Sequence, residues 1–62
     1  MFADNLKRIR KEKKLTQIQL AKMLECTQNE VSRWEAGKWY PSISTAVKIA
    51  DVLECTVDEL VR

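Results

Sequence analysis

Four side chains in one short stretch, Gln28, Asn29, Ser32 and Arg33, are of the types that read the edges of nucleotide bases. At 100° per residue on a helix they fall within an arc of about 140°. A Gln or Asn amide can hold adenine through two hydrogen bonds, a guanidinium can hold guanine the same way, and a hydroxyl serves either base. Val31 and Trp34 lie on the opposite side, which must face a core. A surface helix shaped by solubility alone would more often carry Lys and Glu, which favour helix more strongly. The plainer reading is a solvated face, and the surrounding elements decide between the two.

The remaining reactive side chains point to no reaction. The chain has no His, and neither Cys26 nor Cys55 has a base to activate it. Two thiols alone do not make a zinc site. The carboxylates are scattered over helix surfaces, and a single Gly cannot build a phosphate-cradling loop. No enzyme, metal or cofactor is therefore expected. Single-stranded RNA binding would call for aromatics on an exposed sheet. Each Cys sits in an apolar slot at a helix junction and is expected to pack as a small hydrophobe, with no disulfide.

Stepping along the chain, helix 1 is expected from about Asp4 to Lys13, with Phe2, Leu6 and Ile9 on its buried face. Thr16 with Gln19 reads as a capping box that opens helix 2, about Gln17 to Leu24. Thr27 with Glu30 repeats the device for helix 3, about 28–36, which Gly37 stops. Lys38-Trp39-Tyr40-Pro41 is a loop. Ser42 or Ser44 caps helix 4, whose apolar face holds Ala46, Val47, Ile49, Ala50 and Leu53. Thr56 with Glu59 opens helix 5, with Val57 and Leu60 facing inward. The tetrapeptide LECT occurs at 24–27 and again at 53–56, one junction used twice and too few units for a solenoid.

These elements make an all-α, five-helix bundle in a single domain, residues 1–62. Such a length buries only about 60% of its unfolded surface, so short loops and close helices are the economical solution. One Gly and one Pro argue against a turn-rich β fold, and 45% hydrophobic with 32% charged residues is an ordinary globular composition. No apolar run is long enough to span a membrane, and the N-terminus MFADN carries no signal peptide, so a cytoplasmic location is expected. The net charge of +2 is unevenly placed. Residues 1–38 carry nine basic and five acidic residues, and residues 39–62 carry two and four. The basic excess lies mainly in KRIRKEKK, residues 7–14, which is either a solvated helix face or a shoulder for phosphates.

The stretches LKRIRKEKKLTQIQLAKML, VSRWEAGKWYPS and VKIADVLECTVDEL, in that order and spacing, resemble the helix-turn-helix domain of phage Cro and lambda-type repressors. The likeness runs from Leu6 to about Leu60 and implies that helices 2 and 3 form the helix-turn-helix. It places Gln28, Asn29 and Arg33, with Ser32 beside them, at base-reading positions of a helix set in the major groove of double-stranded DNA. It sets Gln17 and Lys38 on phosphates, where a helix N-terminus also favours an anion. Arg10 and Glu35 match a structural ion pair, although Arg10, like Lys14 of the basic run, is equally read as a phosphate contact. Where the family usually has Gly in the turn, this chain has Glu25, and Glu54 repeats the departure. Trp39 and Tyr40 replace basic or polar residues, and three roles stand for them: packing on helix 4, a sugar–phosphate contact, or part of a dimer surface. The expected function is sequence-specific transcriptional regulation, a repressor acting as a homodimer on a two-fold operator, with no small-molecule effector evident. The alternative is an antitoxin or protein-interaction module on the same fold.

Overall fold

Four of the five helices of this chain start with a side-chain cap, while the first starts at Phe2 with none. The computed structural model describes residues 1–62 as five helices, α1 (Phe2–Glu12), α2 (Gln17–Leu24), α3 (Gln28–Glu35), α4 (Ile43–Leu53) and α5 (Val57–Val61). Thr16, Thr27 and Thr56 each accept the N–H three residues on, while Gln19, Glu30 and Glu59 reach back to the capping residue's own N–H. These are the three capping boxes expected, each satisfying donors a helix start leaves unpaired. Ser42, not Ser44, caps α4 by accepting the Thr45 N–H. Helix 1 begins two residues earlier than expected, because Phe2 is needed in the core and lies within the first turn.

Helix ends share a second device. Lys14, Glu25, Gly37 and Glu54 all take the left-handed conformation, with φ of 59°, 59°, 76° and 56°. At each, the next residue's N–H closes onto the carbonyl five positions back: Leu15 on Arg10, Cys26 on Ala21, Lys38 on Arg33, Cys55 on Ala50. This is the Schellman closure, which normally recruits Gly. Three of the four sites hold a residue with a Cβ, and each left-handed residue of that kind costs about 1–2 kcal/mol. Glu25 and Glu54 were expected here; Lys14 was not.

Phe2, Leu6, Ile9, Leu20, Ala21, Leu24, Val31, Trp34, Ile49, Ala50, Leu53 and Leu60 form one continuous core. In α4 the buried residues Ala46, Ile49, Ala50 and Leu53 span about 100° of the helix wheel. Val47 falls about 60° beyond that stripe and is 44% exposed, contrary to the broader face expected. Asn5 ties the two chain ends, its Nδ2 donating to the Leu60 carbonyl at 3.0 Å. No helix is long and apolar enough to cross a membrane.

One charged pair crosses the core boundary. Arg10 lies about 40° from Leu6 on the wheel, at the margin of the apolar stripe, and is 7% exposed. Its Nε donates to Glu35 Oε2 at 2.6 Å and its Nη2 to Glu35 Oε1 at 3.0 Å. Its Nη1 donates to the Leu15 carbonyl at 2.7 Å. The guanidinium thus joins α1, the α1–α2 turn and the end of α3. The paired Glu35 carboxylate outweighs burial and pushes the guanidinium pKa above its ordinary value. An arginine guanidinium is in any case a permanent cation, and this pairing reinforces its charge.

Two outcomes are expected in chemical denaturation. Glu35→Ala leaves a buried cation unpaired and should lower unfolding free energy by about 3–5 kcal/mol, whereas Arg10→Met with Glu35→Leu should recover most of the loss. Glu25→Gly removes left-handed strain against a larger unfolded-state entropy, a net gain of about 0.5–1 kcal/mol and a Tm rise of ~4 °C. Gly37→Ala should cost a similar amount, since its new Cβ meets only the Ala3 Cβ at 3.8 Å.

Candidate nucleic-acid interface

The α2–α3 unit is built from two capping boxes on either side of one Schellman turn, so its geometry is locally specified. Ala21 is buried at the crossing, and its small side chain lets the two helices approach. Val31 and Trp34 anchor α3 in the core at 0% and 6% exposure. That anchoring turns Gln28, Asn29, Ser32 and Arg33 outward together, and all four are exposed. Neither Asn29 nor Ser32 makes a side-chain hydrogen bond within the fold, and Arg33 has no carboxylate partner.

Gln28 is different. Its Nε2 donates to Gln17 Oε1 at 3.4 Å, and Gln17 Nε2 donates to Glu35 Oε1 at 3.0 Å. A carboxylate is acceptor only, so Gln17 must turn its NH₂ toward Glu35 and its oxygen toward Gln28. Gln28 must then present its own NH₂ to Gln17. The amide orientation at the start of α3 is thus set by the ion pair at its end. This relay, between residues 11 and 18 positions apart in the chain, has no sequence signature.

Arg10 requires a correction. One reading set it on a phosphate, but its guanidinium is buried and bonded to Glu35 and Leu15. The structure places it in the ion pair, the other role expected of it. Gln17 is half-buried, with one amide hydrogen committed to Glu35. Lys14 and Lys38 are exposed and have no acidic partner.

Trp39 and Tyr40 separate. The Trp39 ring lies beneath Arg33, with the guanidinium carbon 4.6 Å from the ring centroid. Tyr40 instead meets Phe2, ring centroids 6.2 Å apart, and lines an apolar groove with Met1, Pro41, Ile43, Val57 and Val61. Burial pushes both Cys26 and Cys55 thiols up from their ordinary pKa, helped by Glu30 and Glu59 respectively, which favours the thiol over the thiolate.

Residues 6–60 match the helix-turn-helix family. The chain is 39% identical over 59 residues to the HTH-type transcriptional activator BcrR of Enterococcus faecalis, covering 95% of this chain and 29% of the activator. It is 38% identical over 58 residues to the immunity repressor protein of Bacillus phage phi105, covering 94% and 40%. The chain thus spans well under half of either relative. The DNA-binding domain of the P22 C2 repressor superimposes with a TM-score of 0.92 at 25% identity, covering 97% of this chain and 79% of that one. Hydroxypropylphosphonic acid epoxidase from S. wedmorenis gives 0.90 at 32% identity, but the likeness occupies 31% of that enzyme and gives this chain no catalytic role. With an α2–α3 unit anchored in this way, and with these matches, the chain belongs to the helix-turn-helix family of Cro and lambda-repressor type, a DNA-binding fold of transcriptional regulators.

Proposed function

We propose that this domain represses transcription by placing α3 in the major groove of an operator as one half of a homodimer. The supporting observation is the outward face of α3, where four hydrogen-bonding side chains stand exposed together while the opposite face is locked in the core. Gln28, already donating one amide hydrogen to Gln17, keeps one N–H and its carbonyl oxygen. That is the complement of adenine N7 and its N6 amino group. Arg33 suits guanine, and Asn29 and Ser32 fill the positions between. Lys14 and Lys38 take phosphates on either side. The unpaired N–H groups in the first turn of α2, with the second amide hydrogen of Gln17, take a phosphate between them.

One such helix reads only a few base pairs, so specificity calls for a second copy with its α3 one turn of DNA away, ~34 Å. The surface suited to that contact is the groove around Tyr40 and Ile43, which are 69% and 79% exposed. Burial of such side chains is worth roughly 25 cal/mol per Å² of apolar surface. The working compartment is the one that holds the DNA, the cytoplasm.

Selection from a randomised duplex library at two salt concentrations tests the reading. Arg33→Ala and Gln28→Ala should each cost about 1–3 kcal/mol on the selected site and relax the preference at one position. Lys38→Ala should weaken all sequences alike and reduce the salt slope by about one. Ile43→Asp should leave the fold intact but give one domain per duplex in sedimentation. A library from which no sequence is enriched would sink the base-reading assignment.

A further inference from the structure

The chain has four arginines, and three are held by carboxylates: Arg8 by Glu12, Arg10 by Glu35 and Arg62 by Asp58. Arg33 is the exception. Its partner is the Trp39 ring, 4.6 Å below the guanidinium carbon. This contact follows from the end of α3. Gly37 takes a left-handed turn, the Lys38 N–H closes onto the Arg33 carbonyl at 3.2 Å, and the chain folds back alongside the turn that carries Arg33.

A guanidinium is a planar cation with its N–H donors in the plane. An indole ring 4.6 Å from the guanidinium carbon attracts the charge through the ring quadrupole, without a carboxylate across the fork. A carboxylate partner would have occupied the edge of the fork, as Glu35 does with Arg10. The ring instead restrains a long, exposed side chain while leaving its fork free of any carboxylate, available to a guanine O6 and N7. Restraining it in the free protein lowers the ordering cost when DNA binds.

We propose that Trp39 is a positioning residue for base reading, holding the Arg33 guanidinium by its face so that its edge meets guanine. The proposal rests on the reading of α3 as the base-contacting helix. It makes Trp39 a determinant of specificity without any contact to a base.

The test uses the site selected by the wild-type domain from a randomised duplex library. A second version of that site has the Arg33-dependent guanine replaced by 7-deazaguanine, which lacks the N7 acceptor. Trp39→Leu should weaken binding to the intact site ~3-fold, the scale of ordering one long side chain on binding. It should have little effect on the 7-deaza site and add nothing in an Arg33→Ala background. Trp39→Phe, which keeps an aromatic face, should bind close to wild type. Trp39 is 55% exposed, so the variants should lose at most a few degrees in Tm and stay folded at the temperature of the binding assay. The proposal is overturned if Trp39→Leu weakens both duplexes equally, which would mark a direct sugar–phosphate contact, or if it has no effect. If Arg33→Ala binds the guanine and 7-deaza sites as wild type does, the reading of Arg33 has failed and the proposal falls with it. That result is distinct, because it appears with Trp39 intact.

Discussion

The bidentate pair between Arg10 and Glu35 is the constraint on which the arrangement of this domain depends. It is the one ion pair whose two side chains are both nearly inaccessible, at 9% and 3% exposure. A buried pair of this kind gains little net stability over well-packed apolar groups. What it adds is direction. It fixes the C-terminal end of α3 against α1, holds the α1–α2 turn through the Leu15 carbonyl, and leaves Glu35 an oxygen that also orients Gln17. No buried side-chain polar atom is left without a partner, so the polar seam is complete.

Around that seam, ordering comes from repetition of inexpensive local devices. Three Thr-led capping boxes and four Schellman closures define seven of the ten helix boundaries in the chain. Where each element starts and stops is therefore mostly independent of tertiary packing. The core of about a dozen side chains then has only to bring five preformed ends together. The left-handed Lys14, Glu25 and Glu54 work against this economy, and the closure at each site outweighs the strain.

What could be read from the sequence divides along the same line. The capping boxes at Thr16, Thr27 and Thr56 span three residues each, so they were legible, as was the outward face of α3. The Arg10–Glu35 pair was reached through family likeness, not through spacing, because 25 residues separate the partners. Lys14 carried no signal for a left-handed position, since nothing about Lys favours one. Val47 was assigned to a buried face because the wheel shows which residues are apolar, not how wide a stripe the neighbours cover. The Arg33–Trp39 stack depends on the path of the chain after Gly37, which no residue type encodes alone.

The Gln17–Gln28 link has a consequence for how such a domain can drift between operators. Gln28 is tied into the polar seam, so replacing it disturbs Gln17 and reaches the ion pair. Asn29 and Ser32 have no such ties, and substitutions there are felt only by whatever lies across from them. If α3 reads bases as proposed, its outward surface is divided into an anchored position and neighbouring free ones, and mutation at the free positions can explore new DNA sequences without risking the fold.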